Sequence, residues 1–276
     1  MSSDLQTRVI TAFFFVAVML LGMYFSVYSL WLLFGLINVF CLVEYQGIVP
    51  KLPSNKPTQK GAAAVVNLIL GVMVYLLITA IALDWLPDAY FILFFPLMSL
   101  FFLKALFSRS ISPLTRLGSN VAGILWITVP CALFVPLALV NGSFQPLYVM
   151  GCVALVWGSD TFAYFSGRAL GRNALFKRVS PKKTWEGSIG GLVGCLICAF
   201  ALSKLLPGWT WFQWSVVAVL AVVFGTLGDL VESLLKRSVK IKDSGTILPG
   251  HGGFLDRFDA LLFAIPFIYA FVHLMR

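Results

Sequence analysis

The chain has 276 residues, 60% of them hydrophobic and only 11% charged, with a mean hydropathy of +0.94 and a formal net charge of +9. Ordinary soluble domains carry about 25% charged residues. A water-soluble globular fold is therefore excluded, and an all-α polytopic integral membrane bundle with no large soluble domain is expected.

Taken in chain order, apolar blocks matched to a hydrocarbon core of about 30 Å fall at 8–26, 28–48, 61–82, 86–107, 118–140, 146–168, 187–205, 211–236 and 257–275. Nine transmembrane helices are predicted. The first block follows Arg8 and has the look of a secretory signal, but no small-residue cleavage site comes after it and eight further blocks do, so it is read as the first span. The KLPSNKPTQKG stretch after the second block, with its two prolines and glycine, reads as a connecting loop. All five cysteines, Cys41, Cys131, Cys152, Cys195 and Cys198, lie inside apolar blocks, where a thiol acts as a small hydrophobe. No disulfide framework is implied, and the Cys195/Cys198 pair lacks the strand-to-helix context of a redox motif.

The basic residues are distributed with a strong bias. Arg8 precedes the first span, and 17 more Lys and Arg follow the second, fourth, sixth and eighth; only Lys204 and Arg276 fall on the other face. Because the bias in basic residues sets orientation, this predicts a cytoplasmic N-terminus and an outward C-terminus. Topology and attraction to anionic headgroups explain much of the +9, but not the crowding of 11 basic residues into the loops after spans six and eight.

Carboxylates in membrane spans are costly and are by default functional candidates. Asp160 lies near the end of span six, Asp229 and Glu232 near the same end of span eight, and Asp256 and Asp259 open span nine. Helical spacing puts Ser233 and Lys236 on the Asp229 stripe and gives Asp256 and Asp259 a common face, whereas Glu232 lies off the stripe and either supports the site or joins it. Hard oxygen ligands at one depth, ringed by cations, suit Mg²⁺ shared between carboxylates and substrate phosphates. Each acid also has a structural reading: Asp229 as a partner of a Lys, Asp256 as a helix cap, Glu44 as a paired structural residue.

The loop after span six reads RVSPKKTWEGSIGG. Ser180 and Pro181 are read as a turn, Lys182 and Lys183 as point charges and Thr184 as a hydroxyl donor, leading into a helix N-terminus whose N–H groups favour phosphate. No GxxxxGK[ST] is present, so a Walker-type nucleotide site is not supported. In LPGHGG, Gly250, Gly252 and Gly253 allow sharp turning and close approach; His251 is a phosphate donor, a proton shuttle or an ordinary loop residue.

The run from Ser233 through Lys236-Arg237, Lys242-Asp243, Gly245, Leu248-Pro249, His251-Gly252-Gly253 and Asp256-Arg257 to Asp259 resembles the signature of the phosphatidate cytidylyltransferases, or CDP-diacylglycerol synthases. Trp157 with Asp160-Thr161-Phe162-Ala163-Tyr164, and Ser180-Pro181-Lys182-Lys183-Thr184 with Glu186-Gly187, resemble that family's other recurrent segments. The resemblance covers the C-terminal half; the first 140 residues match only in hydrophobicity. It implies a bacterial inner-membrane enzyme, or an organellar equivalent, that condenses CTP with phosphatidic acid to CDP-diacylglycerol and pyrophosphate. It further implies a need for Mg²⁺ and a tendency to form homodimers. Asp229 and Asp256 correspond to the metal-binding aspartates. Nothing in the spacing alone names cytidine.

On this basis residues 1–140 are expected to form a scaffold with a candidate dimerisation role, and 141–276 the catalytic region with cytoplasmic loops 168–187 and 236–257. Asp229, Asp256, Asp259, Lys236 and Lys242 are the candidate catalytic residues, with Mg²⁺, and a second cation as an option, on Asp229 and Asp256. Ser180, Lys182, Lys183, Thr184 and Asp160 are assigned to substrate, as are Ser233, Arg237, His251 and Arg257. CTP, phosphatidate and membrane lipid are the expected partners, and nucleic acid is not. A CTP-dependent lipid kinase and a non-enzymatic transporter of an anionic solute are the competing readings.

Overall fold

A computed structural model describes residues 3–52, 62–107, 112–140, 142–245 and 252–275. Among these residues, ten α-helices account for the nine apolar blocks: α1 Ser3–Tyr24, α2 Val27–Ile48, α3 Ala62–Ala82, α4 Phe94–Leu106, α5 Pro113–Gly123, α6 Val129–Ala138, α7 Pro146–Leu170, α8 Trp185–Leu205, α9 Trp211–Ser238 and α10 Leu255–Leu274. A 3₁₀ turn at Asp88–Leu93 runs into α4, and α5 joins α6 through a π-turn at Ile124–Thr128. Among the described residues, eight helical stretches are long and apolar enough to cross a membrane, and the Ile10–Tyr24 part of α1 is a shorter apolar helix. The chain is a polytopic membrane protein, as its composition requires. Side chains such as Phe13, Phe107 and Ile197 point outward, the arrangement that a lipid surround makes favourable.

The interruption in the fifth span was not anticipated, and proline explains it. Pro130 has no N–H to give the preceding turn, and the ladder widens so that Val129 N–H bonds to the Ile124 carbonyl, five residues back. At the start of α2, by contrast, the ladder is closed by a capping box: Ser29 N–H donates to Ser26 Oγ at 3.0 Å and Ser26 N–H to Ser29 Oγ at 3.0 Å, satisfying two end donors.

The helices cluster into two compact units. One comprises Met1–Phe144 with Ser238–Arg257 and the other Gln145–Arg237 with Phe258–Arg276. The division anticipated at 140/141 runs straight to the C-terminus, whereas in the structure the segment Ser238–Arg257 clusters with the helices of the N-terminal half.

In the first unit α2 packs against α3 and α6. Phe34 and Phe134 stack with ring centres 3.6 Å apart, and Leu30, Ile37, Cys41 and Ile127 are also fully enclosed. Tyr45 packs its ring where a Cβ on Gly123 would otherwise sit and donates its hydroxyl to the Ser119 carbonyl at 2.8 Å.

In the second unit α7 and α8 pack face to face. A Cβ built at Gly187 would meet the Ala163 carbonyl at 2.9 Å, one at Gly191 the Ser159 carbonyl at 3.1 Å, and one at Gly194 the Phe162 ring. These glycines recur at three- and four-residue intervals and so share one helix face. Dispersion between closely approaching backbones, rather than hydrophobic exclusion, drives such pairing in lipid. α9 approaches α10 in the same way, with Gly228 against the Asp259 carbonyl. The cysteines are free thiols, four of them buried, as the apolar surroundings predict.

Candidate active site

The second unit assembles most of the sequence-predicted residues. After α7 the chain forms a two-stranded antiparallel hairpin, β1 Ala174–Phe176 and β2 Ser180–Thr184. The turn expected at Ser180-Pro181 is thus the start of a strand: Ser180 pairs with Phe176 and Thr184 with Ala174. Two devices hold the hairpin to α8. Thr184 is the helix N-cap, its hydroxyl accepting the Gly187 N–H at 3.1 Å. Glu186, in the first turn of α8, accepts N–H bonds from Arg172 at 3.1 Å and Asn173 at 3.2 Å, and the Asn173 side-chain amide at 2.7 Å. Carboxylates that gather several N–H donors make strong, directional anchors. The Thr184 hydroxyl, expected to serve substrate, is thereby engaged in capping, and one N–H of the expected phosphate-facing terminus is already satisfied.

This anchoring sets Lys182, Lys183 and Thr184 into the wall of a cavity of about 420 Å³, shared with Asp160, Arg168 and Asp229. Tyr164, Gly167, Ser188 and Thr226 complete much of the lining. Asp160 and Lys182 are exposed, while Lys183 and Asp229 are partly buried and form an ion pair. Ser180, at the far end of β2, is not among the lining residues.

Below this wall, α9 and α10 bring three carboxylates together. Ligand oxygens of Asp229, Glu232 and Asp259 all lie within 4.8 Å of one another. Glu232 is fully buried and Asp259 nearly so, at 8% exposure. Ser233 Oγ donates to Asp229 Oδ1 at 3.3 Å, and the Ala260 N–H donates to Asp259 Oδ1 at 2.8 Å. Lys236 pairs with Glu232, one turn earlier on α9. Lys236 was expected on the Asp229 stripe as a catalytic residue; its ion pair goes to the off-stripe acid. Glu232, left open between a supporting and a direct role, is a member of the carboxylate group.

Buried carboxylates this close repel unless counter-charge is supplied. Lys183 pairs with Asp229 and Lys236 with Glu232. The hard oxygen donors and their convergence from two helices fit a divalent cation of the Mg²⁺ type.

The signature loop belongs to the first unit. Asp256, in the first turn of α10, accepts at Oδ2 from Ser244 N–H at 2.9 Å, Ser244 Oγ at 3.1 Å and Gly253 N–H at 2.9 Å. It is not the cap of α10. That role falls to Glu44 of α2, which accepts from Phe254 N–H at 2.8 Å, Leu255 N–H at 2.9 Å and Ser244 Oγ at 2.7 Å. The paired structural reading of Glu44 holds, with hydroxyl and backbone donors as the partners. Gly252 has φ +83°, a left-handed conformation that glycine adopts without strain. Lys242, Arg237 and Arg257 are exposed. His251 lies outside the described residues.

Residue-by-residue reading missed Arg168 and Tyr164, which line the cavity, and gave no part to Glu186. Arg168 sits in the last turn of α7, where a basic residue also complements the helix dipole, so nothing in its local spacing singled it out.

Known proteins carry a similar sequence. The chain is 48% identical over 124 residues to the phosphatidate cytidylyltransferase of Bacillus subtilis, covering 44% of this chain and 46% of that one. It is 44% identical over 136 residues to the enzyme of that name from Haemophilus influenzae, covering 48% and 46% respectively. In both, the chain spans about half the length of the curated relative it matches. With the phosphatidate cytidylyltransferase of Synechocystis sp. it is 32% identical over 287 residues, 92% of this chain and 90% of the relative. A model of the cytidylyltransferase family matches residues 6–275, nearly the whole chain, and the chain belongs to the cytidylyltransferase family.

Proposed function

We propose that this protein transfers the cytidylyl group of CTP to phosphatidic acid, forming CDP-diacylglycerol and releasing pyrophosphate. The observation that carries the reading is the cavity walled by Lys182, Lys183, Arg168 and Asp229, continuous along α9 with the Asp229, Glu232 and Asp259 carboxylates. Cations there suit a triphosphate, and carboxylates suit the divalent ion that accompanies it. Family membership and three relatives named phosphatidate cytidylyltransferase support the same chemistry.

In this reading a phosphate oxygen of phosphatidate attacks the α-phosphorus of CTP. The bond from that phosphorus to the β-phosphate bridging oxygen breaks, and pyrophosphate departs with the electron pair. The attacking phosphate has a second pKa of about 6 and is largely ionised at neutral pH, so no strong general base is required. Positioning and charge neutralisation are the requirements. Lys182, Lys183 and Arg168 hold the triphosphate oxygens and draw off the charge that accumulates on the leaving group. Asp229 with Glu232 and Asp259 would hold Mg²⁺, which supplies Lewis-acid neutralisation of the phosphates when bound. The signature resemblance also assigns a metal-binding role to Asp256. Arg237, Lys242 and Arg257, exposed cations of the signature itself, attract the anionic lipid headgroup.

The proposed setting is the cytoplasmic face of a bacterial inner membrane, supported by the grouping of 18 of 20 basic residues in alternate loops. CTP then arrives from water while the acyl chains stay in lipid. A homodimer is proposed, with residues 1–140 as the region to test by crosslinking.

The test is to mix purified protein with labelled CTP, phosphatidate and Mg²⁺ and identify both products. CDP-diacylglycerol and pyrophosphate are expected. Release of CDP, the mark of γ-phosphate transfer, or no turnover of CTP at all would overturn the reading. Asp229→Asn, Asp259→Asn and Asp256→Asn are each expected to reduce turnover by at least about 100-fold; an unaffected Asp256→Asn would remove that residue from the cation site.

A further inference from the structure

Glu44 lies on the second helix, roughly 200 residues before the segment it touches, in a part of the chain without signature motifs. It is 6% exposed. Both its oxygens are used: Oε1 by the Phe254 N–H, Oε2 by the Leu255 N–H and the Ser244 hydroxyl. The same Ser244 Oγ lies 3.1 Å from Asp256 Oδ2, so one hydroxyl proton is shared between the two carboxylates, with the shorter contact to Glu44.

The glycines around the carboxylate give independent evidence that the loop is built on it. A Cβ at Gly253 would fall on Ser244 Oγ and 2.7 Å from Glu44 Oε2, and a Cβ at Gly245 would fall on Glu44 Oε1. Both loop strands press their bare backbone onto this one buried carboxylate. A helix N-terminus leaves several N–H groups unsatisfied. Here an acid from another helix takes those of Phe254 and Leu255, placing its charge where the α10 dipole favours it.

We propose that Glu44 is a positioning residue for cytidylyl transfer: it fixes the Ser244 hydroxyl and the start of α10, and through them the orientation of the Asp256 carboxylate. This rests on the transfer reaction proposed above. The negative charge is essential to the role. A glutamine has one acceptor oxygen, so in either amide orientation its NH₂ must face the Phe254 or the Leu255 N–H, donor against donor. Groups that orient ligands in this way are typically worth about 10- to 100-fold in activity.

The experiment compares wild type, Glu44→Gln, Ser244→Ala and the double variant, purified in detergent. Three measurements are made: kcat and KM for CTP in the labelled-CTP assay, amide exchange at Phe254 and Leu255, and thermal unfolding. The expected result for Glu44→Gln is a kcat lower by about 10- to 100-fold with KM for CTP within about threefold. Exchange should accelerate at the Phe254 and Leu255 amides while the amides of α7 and α8 keep their protection. The double variant should be no slower than Glu44→Gln alone, because Ser244 acts through the same carboxylate. Normal kcat in Glu44→Gln overturns the proposal, as does a loss of protection spread evenly over the protein, which marks general destabilisation. If Glu44→Gln does not fold, Ser244→Ala decides: kcat equal to wild type refutes the role. A wild-type protein that makes no CDP-diacylglycerol refutes the transfer reading instead, and unchanged Phe254 and Leu255 exchange in Glu44→Gln then separately refutes the positioning role.

Discussion

Gly228→Ala separates two effects of opposite sign. In a helix interior, alanine is favoured over glycine by about 1 kcal/mol, so a helix packed loosely at this point gains stability. Gly228 is not in that position. A Cβ there would stand 2.6 Å from both the Asp259 carbonyl oxygen and the Phe263 Cβ, against 3.4 Å for ordinary contact. The two helices must therefore part by about 0.8 Å. Overpacking of this kind costs about 1–3 kcal/mol, which outweighs the propensity gain. The displacement falls between Asp229, the next residue of α9, and Asp259, whose own carbonyl takes the impact. A misplacement near 1 Å can cost about 100-fold in rate, so turnover of labelled CTP should fall by that order and the unfolding temperature should drop. Gly225→Ala is the internal control, since its Cβ would meet nothing closer than 3.7 Å. It should leave turnover unchanged and raise stability by up to about 1 kcal/mol. A Gly228→Ala protein that turns over at the parental rate would refute the link between α9–α10 approach and the carboxylate group. Equal losses in both variants would refute it too.

Two further outcomes follow from the same geometry. Thr184→Ala removes the N-cap of α8 and should cost about 1 kcal/mol, read as a lower unfolding temperature. Because the hairpin carries Lys183 through that cap, KM for CTP should also rise, whereas Thr184→Ser should retain both properties. Phe34→Ala deletes one ring of the stacked Phe34/Phe134 pair and should destabilise by about 3–5 kcal/mol. Its folded fraction should keep wild-type kcat, measured per active protein by titration with labelled CTP.

The membrane class, the nine apolar blocks and most of their edges were legible because each is a local property: a span needs about 20 apolar residues, and no distant contact alters that requirement. The predicted 146–168 and 211–236 correspond to helices Pro146–Leu170 and Trp211–Ser238. Local reading failed where a neighbour intervened. SPKKT has the composition of a turn, yet it pairs with Ala174–Phe176 as a strand, because the ladder and the Thr184 cap satisfy backbone groups that a turn would leave to water. The fifth block reads as one helix and is broken by a π-turn, since proline's effect on the preceding carbonyls depends on how the surrounding helices accept the widening.

The candidate site divides along the same line. Charge and spacing alone nominated Asp229, Asp259, Lys182 and Lys183, because acids and bases in an apolar chain are too costly to be incidental. Helical periodicity placed Glu232 off the stripe and Lys236 on it, and could go no further: which lysine neutralises which acid depends on the side chains' reach and on how closely α9 approaches α10. Glu44 shows the limit most clearly. Its residue type and burial were foreseeable, but its partners lie some 200 residues away. Sequence by itself therefore determined the solvent this protein lives in, the helices that cross it and the residue types that carry its chemistry, because hydrophobic and Born-type costs act on each residue separately. The pairing of those residues was decided only by tertiary packing, because hydrogen bonds and ion pairs are short-ranged and depend on which helix faces meet.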